Sequence, residues 1–137
     1  MAIRMELSRI LILETNDHHV VELRESEGER ILPIQIGLTE AAAIERRLMG
    51  HEPPRPQTHE LLASIIEQLG YRLERVVIND LRNHTFYARL HLIPSNGGGG
   101  DMVDIDSRPS DAIALGIATE VPIFVEDHVL EAAHRPD

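Results

Sequence analysis

A group of acidic and basic residues lies between residues 101 and 126, in the sequence DMVDIDSRPSDAIALGIATEVPIFVE. Asp104 and Asp106 are two positions apart, so a strand here would place both carboxylates on one face. Arg108 follows in a turn, and Asp111 comes immediately before an apolar segment. These spacings indicate that Asp106, Arg108 and Asp111 could converge at one strand-to-helix corner.

Carboxylates and a guanidinium arranged in this way suit metal-assisted hydrolysis of a phosphodiester. That reaction needs carboxylate oxygens to bind Mg²⁺ or Mn²⁺, a water activated by the ion, and a cation beside the phosphorus. We predict that Asp106 and Asp111 are catalytic metal ligands, with Asp104 as a possible third ligand. Arg108 is the candidate phosphate-binding cation.

Other candidate residues lie outside this stretch. Arg55 lies in HEPPRPQ, where three prolines favour an extended backbone, and it could hold the phosphate together with Arg108. His59 could act as a general base or as a phosphate donor, although a histidine in a first helical turn is more often a partly exposed surface residue. Ser110 and Glu40 complete the set of candidate substrate-binding residues.

A purely structural role is an alternative for each charged candidate. Asp111 could cap its helix, which contributes about 0.5 to 2 kcal/mol, and Asp106 could pair with Arg108 across the turn. Arg55 and Arg108 could form salt bridges to an acid such as Glu40. An acid such as Glu40 is in any case favoured at the start of a helix by the helix dipole.

The element that must position the corner is the segment of residues 112–118, which has no polar side chain. A helix that is apolar on all sides is predicted to be wholly buried, because any exposed face would cost hydrophobic free energy. Pro109 suits the first turn of such a helix. Ser107, Ser110 or Asp111 could accept hydrogen bonds from its free amides.

Alternating and continuous apolar runs predict the strands of the fold. The first third of the chain is expected to be an antiparallel meander, with a turn at Asn16 and Asp17. A hairpin is predicted across Arg82, Asn83 and His84, and a flexible loop over residues 95–100. The predicted strands span residues 3–14, 20–24, 30–36, 72–81, 85–93, 101–106 and 121–125.

Two further main helices and a short C-terminal one are predicted. The first begins with Thr39 as its cap, buries Ala43, Ile44 and Leu48, and ends before Gly50. The next is capped by Thr58, ends at Gly70 and carries apolar residues at helical spacing. A short helix over residues 127–133 is capped by Asp127.

The predicted fold is therefore α+β, with a mixed, mostly antiparallel sheet and three main helices. It forms one domain over residues 1–133 and a flexible tail over residues 134–137.

The charge balance limits the kinds of partner that the chain could bind. The 137 residues carry a formal net charge of −10, and every one of the 13 Lys and Arg positions is Arg. This charge argues against a large nonspecific DNA-binding surface, because phosphate neutralisation supplies most of that affinity. It still allows a small catalytic contact, or nucleic-acid binding through clustered arginines.

The composition also indicates a cellular compartment. There is no cysteine, which excludes disulfides, thiolate metal sites and cysteine nucleophiles and suits a reducing cytosol. The N-terminus, MAIRMELSRILILE, lacks the unbroken apolar core of a secretory signal. No run approaches the roughly 20 apolar residues of a membrane helix. We therefore expect a cytoplasmic protein that does not enter a membrane.

Several motifs taken together resemble the bifunctional nuclease (BFN) domain family. They are LPI leading to IG and EA at residues 32–41, PRPQTHELL at residues 54–62, DSRPSDAIAL at residues 106–115 and VPI at residues 121–123. They occur in the family's order and cover roughly residues 3–131. One departure is Glu60, where the family often has Asp. The resemblance implies an α+β fold, dimerisation, and a nuclease activity that some plant members show towards both DNA and RNA.

Two functional hypotheses follow. The first is a nuclease that uses Mg²⁺ or Mn²⁺ at the corner of Asp106, Arg108 and Asp111, with nucleic acid as substrate. The alternative is a noncatalytic dimeric binding or regulatory module that uses the same corner to bind a protein acid or a small anionic ligand. A third possibility is that the RPSDA corner only stabilises the fold and the dimer. The sequence has no Walker, HExxH or GxSxG motif and so gives no support for a P-loop enzyme or a serine hydrolase.

Overall fold

The computed structural model of the protein describes residues 1–12, 18–95 and 100–134. This part of the chain has seven strands and four helices, mostly in separate runs along the sequence and with one sheet, which confirms the predicted α+β fold class. The elements in chain order are β1 (Ala2–Leu11), β2 (His19–Glu25), β3 (Ile31–Ile36), α1 (Leu38–Leu48), α2 (Thr58–Gln68), β4 (Tyr71–Arg82), β5 (Thr85–Pro94), β6 (Val103–Ser107), α3 (Pro109–Ala118), β7 (Ile123–Glu126) and α4 (Asp127–Ala133).

The strands form one mixed sheet in the order β3-β2-β1-β7-β4-β5-β6. Neighbouring strands are antiparallel except for β4 and β7, which are parallel. The antiparallel pairing of β1, β2 and β3 confirms the predicted meander. The hairpin of β4 and β5 is also confirmed, and its turn residues Asn83 and His84 both have positive φ, as a tight two-residue hairpin turn requires.

Helix α3 is the central element of the core, as its apolar sequence predicts. Every residue of Ala112–Gly116 is buried, and α3 contacts α1, α2, β4 and β5. The helix approaches β4 closely: a Cβ added at Gly116 would lie 3.3 Å from Val76 Cγ2. The glycine therefore lets the helix backbone pack directly onto the sheet.

Three of the predicted helix caps are wrong by one or two positions. The N-cap of α1 is Gly37 rather than Thr39, that of α2 is Gln57 rather than Thr58, and that of α4 is Glu126 rather than Asp127. At α2 the backbone N–H of Gln57 donates to Glu60 Oε1 at 3.2 Å. Glu60 thus satisfies the backbone amide of the N-cap residue Gln57. This contact favours a helix start at Gln57 rather than at Thr58.

The outer helices bury less than the apolar pattern suggests. Ile44 of α1 is buried as predicted, but Leu48 is 54% exposed. Helix α2 is confirmed, yet its apolar stripe faces outwards, with Ile65 45% and Leu69 73% exposed. The helical period identifies an apolar face but does not say which element covers it.

Two predicted features lie partly or wholly outside the described residues. The turn at Asn16 and Asp17 and most of the loop at residues 95–100 belong to the segments that the structure does not describe. Of the predicted tail, only His134 is described: its backbone N–H donates to the Leu130 carbonyl at 3.1 Å and ends α4. Within the described part of the chain, no helix has the length and apolar character needed to cross a bilayer.

The turn between β2 and β3 is fastened to α4 by charged side chains. Arg30 Nη2 donates to Asp127 at 3.0 Å, and the Arg30 backbone N–H donates to Glu25 Oε1 at 3.1 Å. The side-chain hydrogen bond from Arg30 lowers the pKa of Glu25 below its ordinary value, and the backbone hydrogen bond adds to this effect.

Stability should therefore depend on the charge of Glu25. Because the folded-state pKa is depressed, the contribution is present above the ordinary pKa of about 4.3 and is lost as pH falls through the folded value. We expect Glu25→Gln to lower Tm by a constant amount between about pH 6 and 8, with the difference shrinking below about pH 4. Thermal melts of both proteins across this range measure it. A Tm difference that grows towards acid pH would contradict this assignment.

Candidate functional site

Arg108 lies at the junction between β6 and α3. It is the N-cap of α3 and has an extended backbone, as expected for a residue that precedes proline, and Pro109 then fills the first helical position. The guanidinium turns back onto the helix, where Nε and Nη2 donate to Asp111 Oδ2 at 2.9 and 2.8 Å. Nη2 also lies 3.6 Å from Glu40 Oε1 at the start of α1.

Asp111 connects this pair to a third helix. Its other oxygen, Oδ1, lies 3.2 Å from His59 Nε2 in the first turn of α2. The side chains of His59, Asp111 and Arg108 are 4%, 33% and 68% exposed, respectively. The chain of contacts therefore runs from a buried imidazole, through a half-buried carboxylate, to an exposed guanidinium. His59 is buried, whereas the sequence predicted a surface position.

The acids keep the guanidinium charged and fixed. The hydrogen bond to Asp111 is the main cause that raises the pKa of Arg108 above its ordinary value, and the negative charges of Asp111 and Glu40 add to it. Two carboxylates from two helices thus orient one arginine. The predicted alternative of an Arg108–Glu40 ion pair is confirmed by this geometry.

A groove lies beside Arg108. Its volume is about 640 Å³, and its polar lining comes from the end of β3, the β4–β5 turn and the start of α3. The polar side chains are Gln35, His84, Thr85, Arg108 and Ser110. Sequence reasoning missed Gln35, His84 and Thr85 because they come from separate segments that only the folded sheet brings together. Among them, His84 was visible only as a hairpin-turn residue.

The predicted meeting of Asp106 with Arg108 and Asp111 is wrong. Asp106 pairs across the strands with Arg89, and Asp104 pairs with His91. Residues directly opposite in adjacent strands share a face, and the neighbours Leu90 and Leu92 are buried beneath the helices. Both aspartates therefore lie on the sheet face away from α3.

Asp104 and Arg55 have other surroundings. Asp104 lies 2.7 Å from His91 Nδ1, while His91 Nε2 lies 3.3 Å from Glu74. Arg55 is exposed and forms no ion pair within residues 1–12, 18–95 and 100–134. Neither residue joins the corner at Arg108.

The corner does not fit a ready-made divalent ion site. Among the described residues, no three His, Cys, Asp or Glu side chains are grouped so that they could hold a metal ion. The two carboxylates of the corner, Asp111 and Glu40, both contact the Arg108 guanidinium. A cationic side chain thus occupies the space between the oxygens that would otherwise bind Mg²⁺ or Mn²⁺.

Comparison with known proteins adds an independent observation. The family model described as the bifunctional nuclease domain matches residues 21–137. The chain is similar to an uncharacterized protein of Mycobacterium tuberculosis, with 43% identity over 124 residues that cover 90% of this chain and 71% of that protein. It is 28% identical over 123 residues to Bifunctional nuclease 1 of Oryza sativa subsp. japonica, covering 88% of this chain and 37% of the rice protein. It is 25% identical over 113 residues to Bifunctional nuclease 2 of Arabidopsis thaliana, covering 82% and 34%.

Proposed function

This chain belongs to the bifunctional nuclease domain family, and from that premise we propose that it hydrolyses phosphodiester bonds of DNA or RNA in the groove at the start of α3. The observation that supports this site best is Arg108, which is 68% exposed at the edge of the groove and is held by Asp111 and Glu40. A fixed guanidinium binds phosphate oxygens with little loss of side-chain freedom.

Arg108 and the helix start would bind the phosphate together. In this proposal Nη1 of Arg108 contacts the phosphate, because Nε and Nη2 contact carboxylates. The amides of Ser110 and Asp111 lie in the first turn of α3, where no carbonyl of the same helix can accept from them. These donors would stabilise the negative charge on the phosphoryl oxygens in the transition state, which is usually the largest single contribution to catalysis at such sites.

Asp111 and His84 are the groups that could move a proton. Asp111 is half-buried, and its Oδ1 is oriented by His59. His84 lines the groove, and an imidazole can accept or donate a proton at a reacting group. His59 has too little exposed surface to touch a substrate, so in this proposal it is a positioning residue that orients Asp111. This replaces the role of general base that the sequence suggested for it.

A requirement for Mg²⁺ or Mn²⁺ stays a prediction from the chemistry of phosphodiester hydrolysis. Because Arg108 contacts both Asp111 and Glu40, the roles of Arg108, Asp111 and His84 given above do not involve an ion. The contact with nucleic acid is also expected to be short, since the chain carries a net charge of −10. A cytoplasmic location likewise stays a prediction.

Cleavage by purified protein tests the proposal. Supercoiled plasmid and a labelled RNA oligonucleotide would be incubated with the protein in the presence of Mg²⁺, Mn²⁺ or EDTA. We expect nicking and RNA cleavage that co-elute with the protein on size-exclusion chromatography. Loss of activity in EDTA would support the metal requirement. No cleavage under any of these conditions, or activity that separates from the protein peak, would overturn the proposal.

The alternative is a noncatalytic module that binds a protein acid or a small anion at the same corner. It is favoured by the charge balance, because a net charge of −10 disfavours an extended contact with a nucleic-acid backbone. In that case an acidic peptide or inorganic phosphate should bind and Arg108→Ala should abolish binding, while nucleic acid stays intact.

Self-association is the remaining part of this proposal. The apolar α2–β6 surface consists of large exposed side chains on α2 and around β6: Leu61, Leu62, Ile65, Leu69, Met102, Val103 and Ile105. A cavity of about 430 Å³ on this surface is lined almost wholly by apolar side chains. Contiguous exposed apolar surface of this kind is typical of protein interfaces, and we propose that a second copy of the chain covers it.

Ile65→Glu should therefore convert a dimer into a monomer. A charge at the centre of an apolar interface would be desolvated without a partner, which disfavours association strongly. Light scattering coupled to size-exclusion chromatography measures the mass. Leu38→Glu is the matched control, because Leu38 is also a large apolar residue, 61% exposed, but lies on α1. A wild-type monomer, or a dimer that Ile65→Glu leaves intact, would refute this assignment.

A further inference from the structure

A second cavity lies beside the groove at Arg108. Its volume is about 420 Å³, and it shares the lining residues Pro33, His84 and Phe86 with the groove. The two cavities are therefore adjacent, and residues of the β4–β5 hairpin line both of them. We call the second cavity the hairpin trough. Its apolar lining residues are Leu32, Pro33, Leu81, Phe86, Ala132 and Ala133.

Phe86 gives the hairpin trough an aromatic wall. It is opposite Leu81 in the hairpin, so the two side chains lie on the same face of the sheet. Phe86 is only partly buried against the core, and it lines both cavities. Binding sites for small molecules are lined mainly by apolar and aromatic side chains, and bases stack on aromatic rings. The trough therefore suits the flat face of an aromatic ligand.

The two polar residues of the trough, Asn83 and His84, have no partner within the described chain. In residues 1–12, 18–95 and 100–134 neither side chain forms a hydrogen bond or an ion pair. A side-chain amide both donates and accepts hydrogen bonds, and a neutral imidazole does the same. These groups can pair with the polar edge of a base whose faces contact the apolar walls.

The backbone of His84 adopts a conformation that its residue type disfavours. Asn83 and His84 are the two central residues of the hairpin turn, with φ of 49° and 64°. A turn of this kind prefers glycine at its second central position, because a Cβ is disfavoured at positive φ. The fold alone would therefore favour glycine at position 84. Disfavoured backbone conformations are often retained at functional sites, and His84 lines both cavities.

The lining of the two cavities carries no negative charge that would repel a phosphate. Among the residues that the structure describes, no Asp or Glu lines the groove or the trough, whereas Arg108 lines the groove. A phosphate beside Arg108 and a planar ring in the trough are the two ends of a nucleotide. The trough volume also falls within the range of about 300 to 1,000 Å³ that is usual for small-molecule sites.

We propose that the hairpin trough binds the base of a nucleotide whose phosphate contacts Arg108. The phosphate contact rests on the proposed function, but the inference does not require cleavage. The ligand is a nucleoside phosphate, either free or as one residue of a nucleic acid. An apolar protein side chain fits the site less well, because it would leave the polar groups of Asn83 and His84 without partners.

An NMR titration of the isotopically labelled protein in EDTA tests binding without cleavage. The probe is adenosine monophosphate (AMP) with its phosphate on the 5′ oxygen, and ribose 5-phosphate is the matched ligand that lacks only the base. We expect AMP to bind at least about fivefold more tightly, the lower end of the contribution of stacking on one aromatic side chain. Amide signals of residues 83–86 should shift with AMP. Equal affinities for the two ligands, or no saturable shift with AMP, would overturn the inference.

Phe86→Leu tests the aromatic wall, because it keeps a large apolar side chain and removes the ring. The affinity for AMP should fall to about that for ribose 5-phosphate, whose own binding should not change. Phe124→Leu is the matched control: Phe124 alternates with the buried Ile123 and Val125, so it lies on the other face of the sheet. An unchanged preference for AMP in a folded Phe86→Leu variant would contradict the proposed wall.

His84→Gly tests the trough independently of Phe86. Because glycine adopts positive φ without a steric penalty, Tm should rise by about 2 to 4 °C. The affinity for AMP should fall about two- to tenfold, as expected for the loss of one hydrogen bond. A lower Tm with unchanged AMP affinity would show that His84 serves the fold and does not contact the base.

Further ligands identify the source of the nucleotide. A short oligoadenylate that binds more tightly than AMP would assign the site to nucleic acid, and equal or weaker binding would assign it to a free nucleotide. Both results support a base in the trough. If an acidic peptide that contains phenylalanine binds in a Phe86-dependent manner and AMP does not bind, the trough is a protein-binding site and the inference is overturned.

The same measurements separate this inference from the nuclease proposal. If AMP is preferred over ribose 5-phosphate but no cleavage is found, the trough stands and the nuclease proposal falls. If cleavage depends on Arg108 and AMP is not preferred, the nuclease proposal stands and the trough does not bind a base.

Discussion

Arg108→Ala is expected to lower the rate of phosphodiester cleavage by about two orders of magnitude, the loss seen when one donor to a developing negative charge is removed. Arg108 is 68% exposed, so its removal creates no core cavity. Glu40 and Asp111 would keep their positions in α1 and α3. Cleavage of a labelled oligonucleotide under single-turnover conditions measures the effect, and a thermal melt verifies the fold.

Arg108→Lys is the matched control for this substitution. Lysine keeps the charge but cannot donate to Asp111 through two nitrogens while a third contacts phosphate. We expect a rate between those of the wild type and the alanine variant. If the alanine and lysine variants both cleave at the wild-type rate, then the activity comes from another protein or another site.

Leu115→Ala is expected to lower the free energy of unfolding by about 2 to 5 kcal/mol, the range for deleting a buried leucine side chain. Leu115 is 1% exposed and lies on the face of α3 that packs into the core. Because α3 also positions Arg108 and Asp111, cleavage should fall at temperatures where this variant begins to unfold. Urea titration measures the change in stability.

Leu48→Ala removes the same atoms from an exposed position. Leu48 is 54% exposed at the end of α1, so its truncation should change stability by no more than about 0.5 kcal/mol. Equal losses from the two substitutions would contradict the central position of α3 in the core.

Local patterns in the sequence were sufficient for most of the fold. The run of residues 112–118 has no polar side chain, and that alone predicts a buried helix. The hairpin of β4 and β5 follows from two alternating strands around a short polar turn. The helix caps were less predictable, because the helix start at Gln57 depends on a hydrogen bond from its backbone N–H to Glu60, three residues later.

The candidate site depended on contacts that no local pattern contains. The two-residue spacing of Asp104 and Asp106 correctly placed them on one face, but alternation does not reveal whether that face lies under the helices. His59 contacts Asp111 across 52 positions of sequence, so its burial could not be inferred from the first turn of α2. The exposure of the apolar stripe of α2 could not be predicted for the same reason. Helical periodicity identifies the apolar face of a helix but not whether another element covers it.

Asp111→Asn and Asp106→Asn, purified in parallel and compared with wild type in the same cleavage assay, test the central claim most directly. Asp111 orients Arg108 at the groove, while Asp106 lies on the other side of the sheet. We predict that Asp111→Asn loses at least about 100-fold in rate, whereas Asp106→Asn retains cleavage close to that of wild type. Undiminished cleavage by Asp111→Asn, or an equal loss in Asp106→Asn, would contradict a catalytic site at the start of α3.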